Sequence, residues 1–366
     1  MLHKDLLVVG AGPAGLTLAN LSLPHTPVTI ISSNLPDDKA SSRASGLQPR
    51  TLDILDQIGV LARVRCQAIE LLGNKIYIDG DQRYGFSFYD PKTQQHGLSI
   101  DQWHIERLLE EQLNSQGTAV QWGTSLIKLA QLEDHVEVTV RRPDQELEKW
   151  RCKLVVGCDG GRSIVRKSAD ISFPGETYQE RSFMCEALVQ GDLEAGYMHY
   201  FVGADSRLVL VPLNTRGLFK VSGALAPHAT GSPEEQVQAL VLKHGQGRLT
   251  LEHLTDFRTY SIHARIADKF VKDHLFLCGD AAHLFPPNGG QGMNVAIEDA
   301  AILANLFGLY SKTGNESSLS SYDGRAQEVR VRLDEVRASR SRFTYEGLRQ
   351  GFGADKEQRR IEKEEL

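Results

Sequence analysis

The sequence lacks the features that mark metalloproteins, disulfide-rich proteins and membrane proteins. Its 366 residues include five cysteines and no CxxC pair, which predicts reduced and mostly buried thiols. No group of histidines and cysteines has the spacing of metal ligands, so no metal is expected. No apolar run reaches the length of a membrane span, and the N-terminus leads directly into a predicted strand. These absences together predict a cytoplasmic protein.

An excess of positive charge is also missing. The 47 acidic residues outnumber the 41 basic ones, and the net charge of −6 argues against nucleic acid or an anionic membrane as a partner. No catalytic triad or pair of catalytic carboxylates is recognisable. The hydrophobic fraction of 41% is that of an ordinary globular protein with a sizeable core, and the length allows two domains.

The first feature that is present is a glycine-rich turn near the N-terminus. A buried strand is predicted at Leu6–Val9, and it is followed by glycines at 10, 12 and 15 and then by an apolar helix. Gly10 permits the turn, Gly12 lets a pyrophosphate approach the backbone, and Gly15 lets the helix pack close to the strand. Free N–H groups at the helix start favour a diphosphate. This pattern predicts a dinucleotide site, with a structural turn of the same composition as the alternative.

The second predicted strand, Thr26–Ile31, departs from the usual dinucleotide pattern. An acidic residue normally follows this strand and binds the adenosine ribose, but here Ser32 and Ser33 occupy the place. A serine hydroxyl can still form a hydrogen bond, without the assistance of charge. This departure weakens the case for NAD at this site.

Two further strands end in glycine turns. The strand Arg151–Val156 leads into Asp159 and Gly160, and the strand His274–Cys278 leads into Gly279 and Asp280. A loop from Phe285 to Asn294 follows and contains three glycines directly before a helix of small residues. Such a loop suits a flat ring system held by backbone N–H groups, with the helix dipole facing developing negative charge.

Two polar residues between these turns are candidate cofactor ligands. Arg43 precedes a flexible glycine and could reach the diphosphate, although it could equally be a solvated surface arginine. Gln102 lies at the start of a predicted helix and is either a cofactor ligand or a helix-terminal polar group.

Three separated stretches, in this order, resemble the FAD-dependent aromatic hydroxylases, the class A flavoprotein monooxygenases with a p-hydroxybenzoate hydroxylase-like fold. The stretches are Gly10–Gly15, Cys158–Ser163 and Gly279–Asn294. The likeness extends to residues 43–47, to Gln102 and to Tyr322 with Arg325, and it covers roughly residues 5–330.

The resemblance implies an α/β fold with a Rossmann-like FAD-binding domain of the GR2 type, an inserted mixed β-sheet substrate domain and C-terminal helices. The FAD-binding domain would comprise residues 1–65, 99–171 and 273–330, and the β-rich domain residues 66–98 and 172–272. A C-terminal helical segment would span 331–366.

The resemblance also implies roles for individual residues. The pyrophosphate would be held at the first turn, with Arg43 adding charge and Gln102 bonding the ribityl or phosphate region. Asp280 would bind a ribityl hydroxyl, and Asp159 with Gly160 would lie near FAD and the NAD(P)H route. The first turn consists of Gly10, Gly12, Pro13, Ala14 and Gly15, and the residues framing the isoalloxazine would be Pro287, Gly289, Gly290, Gly292, Met293 and Asn294.

The implied activity is hydroxylation of a phenol-like or polycyclic aromatic substrate with O2 and NADPH or NADH, through a flavin C4a-hydroperoxide. The alternatives are an FAD-dependent reductase or dehydrogenase, a flavin halogenase, and a non-catalytic FAD-binding protein. A halogenase is disfavoured because the three tryptophans form no WxW pair. The catalytic residues are unknown, and a homodimer is left open.

Candidates for the substrate pocket are less specific. His199 and Phe201 alternate onto one face of a predicted strand, and Pro286 lies in the loop before the glycines. Ordinary sheet packing is the alternative for the first two. His283 follows the Gly279–Asp280 turn, where we expect a structural hydrogen bond rather than a catalytic role.

Overall fold

The computed structural model describes residues 1–36, 44–225 and 230–342, together with 346 and 348. Within these residues the strands are β1 (Leu2–Val9), β2 (Val28–Ile31), β3 (Gly46–Leu47), β4 (Ile69–Leu71), β5 (Gly73–Ile78), β6 (Asp81–Ser87), β7 (Gly97–Ser99), β8 (Ser125–Gln131), β9 (Val136–Arg141), β10 (Leu147–Gly157), β11 (Gly175–Thr177), β12 (Ser182–Gln190), β13 (Tyr197–Val202), β14 (Arg207–Pro212), β15 (Leu218–Ala224), β16 (Thr250–Tyr260), β17 (His263–Ile266), β18 (Val271–Lys272), β19 (Leu275–Leu277) and β20 (His283–Leu284).

The helices of the same part of the chain are α1 (Pro13–Ser22), α2 (Pro49–Ile58), α3 (Leu61–Arg65), α4 (Gln102–Ser115), α5 (Ile164–Ser168), α6 (Pro233–His244), α7 (Gln291–Thr313), α8 (Ser317–Ser320) and α9 (Arg325–Arg342). The chain divides into two compact units. Unit 1 comprises Met1–Leu71, Tyr89–Gln179 and Ile262–Leu333, and unit 2 comprises Leu72–Phe88, Glu180–Ser261 and Asp334–Leu366.

Unit 1 is built on a sheet whose central strands are parallel. The strand order is β18-β19-β10-β1-β2, in which β1 runs parallel to β2 and β10, and β10 runs parallel to β19. The strands β9 and β8 extend β10 as an antiparallel meander. The segment Leu6–Val9 is buried, as expected for a parallel strand covered on both faces. The helices α4 and α7 pack against α1.

Unit 2 is built on a mixed sheet of seven strands in the order β16-β12-β15-β14-β13-β5-β6. Its pairs are antiparallel except for β13 with β5. One face forms a core with α6, in which Phe183, Val221 and Leu208 of the sheet meet Val237 and Val241 of the helix. The helix begins at a capping box, since Ser232 Oγ accepts from Glu235 N while the Glu235 carboxylate accepts from Ser232 N.

One helix is an exception to the expectation that no apolar run is long enough to span a membrane. Among the described residues, Asn288–Thr313 is long and apolar enough to cross a membrane by composition, and 72% of its most apolar window is buried inside the protein. Small residues such as Ala300 and Ala304 are 0% and 1% exposed in it, so the apolar character is that of a closely packed core helix.

The first glycine turn contains both a glycine required by packing and one that is not. A Cβ at Gly15 would lie 1.9 Å from Gly10 O, whereas a Cβ at Gly12 would meet no neighbouring atom closer than Glu106 Oε1 at 4.0 Å. Gly12 also has an ordinary φ of −79°. Packing therefore requires glycine at position 15 but not at position 12.

We expect Gly15→Ala to lower the free energy of unfolding by about 1–3 kcal/mol or more, because the new methyl group overlaps a backbone carbonyl. Gly12→Ala, the matched control, changes only the residue before α1 and should cost no more than about 1 kcal/mol. Urea unfolding without added FAD measures both. Equal losses in the two variants would contradict this distinction.

Candidate functional site

The three predicted glycine turns lie side by side in unit 1. They follow the ends of β1, β10 and β19, which are adjacent parallel strands, so their carboxyl ends share one edge of the sheet. Cys158 N donates to Val9 O at 2.8 Å, and Cys278 N donates to Gly157 O at 3.0 Å. Ligands of open α/β sheets bind at this edge. The fold thus brings together three stretches that are distant in sequence.

Several glycines at this edge leave room that a side chain would occupy. A Cβ at Gly160, Gly290 or Gly292 would meet nothing within 4 Å, and one at Gly289 would meet the Gln291 side chain at 3.9 Å. The φ angles of Gly160, Gly289 and Gly290 are 76°, 78° and 59°, which favour glycine on backbone grounds as well. Gly292 has no such requirement. An open glycine in the first turn of α7 fits a ligand that approaches the backbone closely.

The α1 start has the geometry expected of a diphosphate site. Pro13 is the first helical residue, and Gly12 precedes it in an extended conformation. Gly10 has φ of 109°, and a Cβ there would lie 2.3 Å from Cys158 O. Ala14 and Gly15 are buried. The N–H groups of this first turn have no partner within the helix and are suited to an anion.

The end of β2 carries no charge to replace the missing acid. Ser32 is buried with 6% exposure, and its Oγ accepts from Asn34 N at 3.3 Å. Ser33 is exposed. A ribose contact by either serine stays a prediction. The predicted ligand Arg43 lies outside the described residues.

Gln102 is the first residue of α4, and its side chain is joined to a carboxyl group that the sequence reasoning overlooked. Gln102 Nε2 donates to Glu106 Oε1 at 2.8 Å, and this oxygen lies beside Gly12. Burial raises the pKa of Glu106, although the hydrogen bond from Gln102 partly opposes the shift. Both side chains are therefore placed at the start of α1, where a pyrophosphate is expected.

Asp159 has one oxygen in a structural role and one without a partner among the described residues. Its Oδ2 accepts from Ile164 N at 2.6 Å and from Val165 N at 3.3 Å, which caps α5. Its Oδ1 is buried without a hydrogen bond, and burial raises the pKa of the group. A buried carboxylate oxygen without a partner can accept a hydrogen bond from a hydroxyl group of a ligand.

The third turn presents Asp280 at the surface. Gly279 has φ of 64°, and a Cβ there would lie 3.0 Å from Ala296 Cβ. Asp280 is exposed, while Gly279 is buried. Pro286 is buried and Pro287 is exposed in the loop that follows. This arrangement leaves the Asp280 carboxylate on the outer side of the turn.

Asn294 differs from a simple cofactor ligand because its side chain is fully engaged within the protein. Its Oδ1 accepts from Gln48 N at 2.8 Å and Thr51 Oγ1 at 2.7 Å. Its Nδ2 donates to Gly46 O at 2.9 Å and Gly290 O at 2.7 Å. These four bonds use the capacity of an amide, so the side chain shapes the glycine loop, and Met293 beside it is 8% exposed. A direct contact of either residue with the isoalloxazine stays a prediction.

Behind the third turn lies a buried cluster of charged residues centred on Asp299. Asp299 Oδ2 accepts from His283 Nε2 at 2.5 Å and from Gly279 N at 3.4 Å, and its Oδ1 accepts from Arg325 Nε at 2.9 Å. Burial opposes ionisation, but His283 and Arg325 outweigh it and lower the pKa of Asp299. The expected structural hydrogen bond of His283 is thus present.

A second carboxylate extends this cluster. Glu298 Oε2 accepts from Arg325 Nη2 at 3.1 Å and from Arg332 Nη1 at 2.9 Å. The small residues of this helix predicted its close packing, whereas the role of its two acids was not predicted from the sequence. Their signal was present, because two adjacent carboxylates in an otherwise apolar helix require buried partners.

His199 and Phe201 lie in unit 2, in the sheet face that α6 covers. His199 is 0% exposed, its Nδ1 is 3.0 Å from Tyr77 Oη and its Nε2 is 3.1 Å from Glu194 O. Burial lowers the pKa of His199 to about 4, so the ring is neutral at pH 7. Phe201 stacks on Tyr77 with ring centroids 4.4 Å apart. Contact with a substrate stays a prediction for both, and it would require this core to open.

A family model described as a FAD binding domain matches residues 3–335. The chain belongs to this family. Rifampicin monooxygenase from Streptomyces venezuelae is 31% identical over 310 residues, which cover 81% of this chain and 62% of that protein. Pentachlorophenol 4-monooxygenase from Sphingobium chlorophenolicum is 28% identical over 315 residues, which cover 81% of this chain and 56% of that protein.

A solved structure, p-nitrophenol 4-monooxygenase from Pseudomonas putida, aligns with a TM-score of 0.79 at 24% identity and covers 99% of this chain and 92% of its own. At this identity it shows the fold alone. The resemblance to the class A FAD-dependent aromatic hydroxylases, the α/β fold and the FAD cofactor are confirmed. The chain spans less than two thirds of the length of the two monooxygenases compared above.

We expect Asp299→Asn to destabilise unit 1 by about 3–5 kcal/mol, because it removes the charge that balances buried Arg325. The same change should weaken FAD retention, since Asp299 anchors the Gly279 N–H. The matched control is Glu328→Gln, because Glu328 also pairs with Arg325 but is 66% exposed and should cost no more than about 1 kcal/mol. Thermal unfolding and the flavin absorbance of the purified variants measure both. Equal effects of the two changes would refute the assignment.

Proposed function

We propose that this protein is an FAD-dependent monooxygenase that hydroxylates a small aromatic substrate with O2 and NADPH or NADH. The observation that carries the proposal is the convergence of three glycine turns on one sheet edge, with open backbone at Gly12, Gly160 and Gly292. The two relatives compared above are named as monooxygenases of rifampicin and pentachlorophenol. An aromatic substrate, phenol-like or polycyclic, follows for this chain as part of the proposal.

The residues of this chain would hold the cofactor in the following way. The first-turn N–H groups of α1 bind the pyrophosphate, and the Asp280 carboxylate accepts from a ribityl hydroxyl. The N-terminus of α7 directs its positive dipole end toward negative charge on the isoalloxazine. When bound, FAD supplies the redox chemistry that accepts a hydride from NAD(P)H and activates O2. The protein itself need supply no nucleophile; it binds and orients the substrate and excludes water around it.

A cytoplasmic location is part of the proposal. Because the net charge is −6, we propose the small aromatic substrate and O2 as partners rather than nucleic acid. The homodimer stays an untested prediction.

The proposal predicts that an aromatic substrate accelerates NAD(P)H oxidation and that the product contains one oxygen atom from isotopically labelled O2. Oxidation is followed by NAD(P)H absorbance, and the product by mass spectrometry, over a panel of phenols and polycyclic aromatics. Asp280→Ala is the control, because loss of the ribityl contact should give a largely colourless and inactive protein.

Other outcomes distinguish the alternatives. Substrate reduction or oxidation that proceeds without oxygen would indicate a reductase or dehydrogenase. FAD binding without any NAD(P)H oxidation would indicate a non-catalytic flavoprotein. Full flavin occupancy in Asp280→Ala would contradict the role given to that residue.

A further inference from the structure

The two faces of the sheet in unit 2 differ in composition. The face toward α6 is an apolar core, to which β12 contributes Phe183, Cys185 and Ala187. Because side chains alternate along a strand, the intervening residues Met184 and Glu186 lie on the opposite face. This opposite face carries both apolar and ionisable side chains.

An apolar and weakly polar row crosses four strands of the opposite face. In the strand registers, Met184 faces Ser222, Ser222 faces Val209 and Val209 faces Tyr200. Met184 is 8% exposed, and the other three are partly exposed. The thioether of Met184, the branched side chain of Val209 and the ring of Tyr200 are apolar, and the row carries only the hydroxyl groups of Ser222 and Tyr200. Such a surface is suited to an aromatic ring.

The neighbouring row on the same face holds an ion pair between two adjacent strands, neither of which is an edge strand. Glu186 of β12 is directly opposite Lys220 of β15, and Lys220 Nζ lies 3.7 Å from Glu186 Oε1. The side chain of Lys220 is 5% exposed and that of Glu186 is 23% exposed. A buried ion pair in a sheet interior is costly compared with apolar residues of similar volume. Its position therefore calls for a reason other than stability.

A second lysine–glutamate pair of unit 2 differs from this one. Lys75 contacts Glu194, with 17% and 55% of these side chains exposed. An ion pair with one largely exposed partner contributes little to stability and carries no large desolvation cost. The Lys75 pair is thus a suitable internal control for the pair at Lys220.

We propose that Glu186 and Lys220 bind and deprotonate the hydroxyl group of a phenolic substrate whose ring lies on the row from Met184 to Tyr200. This inference rests on the monooxygenase function proposed above. The two rows are two residues apart along each strand, roughly 7 Å. A hydroxyl at the edge of a ring on one row can therefore reach the other.

The proton transfer is balanced within the pair. The phenol O–H bond breaks, its electron pair stays on the phenol oxygen, and the proton joins a carboxylate oxygen of Glu186. The Lys220 ammonium group, no longer facing an anionic Glu186, pairs with the phenolate. The total charge of the three groups is unchanged, and the phenolate ring is more electron-rich at the carbon that receives oxygen. Glu186 thus acts as a general base, and Lys220 stabilises the charge that forms.

The test is binding of 4-nitrophenol and of a nitronaphthol to the FAD-loaded protein, because their phenolate forms absorb visible light. Difference spectra across pH give both the dissociation constant and the pKa of the bound phenol. In the wild-type protein the bound phenol should ionise at a lower pH than the free phenol.

Lys220→Met should raise the dissociation constant about tenfold or more, and Lys220→Arg should restore most of the affinity. Glu186→Gln should keep the affinity for phenolate. Because this variant lacks the proton acceptor, binding should occur only at pH values at which the free phenol is already ionised.

Lys75→Met is the matched control and should bind like the wild-type protein. The double variant Glu186→Gln with Lys220→Met removes both charges and covers the case in which either single variant fails to fold, as judged by circular dichroism and flavin content. This double variant should bind neither phenolate, so that the spectrum of each dye with the protein should equal that of the free dye.

The inference is overturned if the wild-type protein binds neither dye, or if Lys220→Met and Lys75→Met bind equally well. An unchanged Michaelis constant in Lys220→Met, with oxygen incorporation intact, would overturn it while leaving the proposed function standing. Binding of phenolate by the pair without any substrate-stimulated NAD(P)H oxidation would instead remove the proposed function and keep the binding site.

Discussion

The close approach of three backbone turns at one edge of a parallel sheet is the constraint on which the rest of unit 1 depends. A Cβ at Gly10 would lie 2.3 Å from Cys158 O, one at Gly15 would lie 1.9 Å from Gly10 O, and one at Gly279 would lie 3.1 Å from Ala14 Cβ. Turns this close leave no space for side chains between them. Their outward N–H groups and the starts of α1 and α7 are thereby left available to a large, partly anionic cofactor.

The charged cluster behind the third turn explains how the exposed Asp280 carboxylate can be held in a fixed place. Asp299, His283 and Arg325 are 0%, 0% and 4% exposed, so their interactions are little screened by water. Arg325 begins α9 and Asp299 belongs to α7, and the hydrogen bond to Gly279 N joins both helices to the turn. Such a cluster contributes little net stability compared with apolar packing, but breaking it is expensive. Its value is therefore positional.

The sequence was informative where local geometry decides the structure. Glycine spacing predicted the three turns, because a tight turn and a positive φ restrict the residue type at each position. Spacing could not show that Asn294 bonds Gly46 O or that Asp299 bonds Gly279 N, since both contacts join segments distant in the chain. Alternation correctly put His199 and Phe201 on one strand face, but which face α6 covers depends on tertiary packing.

We propose that the three turns of unit 1 together bind one FAD. Titration of the flavin-stripped protein with FAD, followed by flavin absorbance and fluorescence, tests it most directly. We expect saturable binding of one FAD per chain with a perturbed visible spectrum. Folded protein that leaves the spectrum of added FAD unchanged, even with the cofactor in large excess, would contradict it.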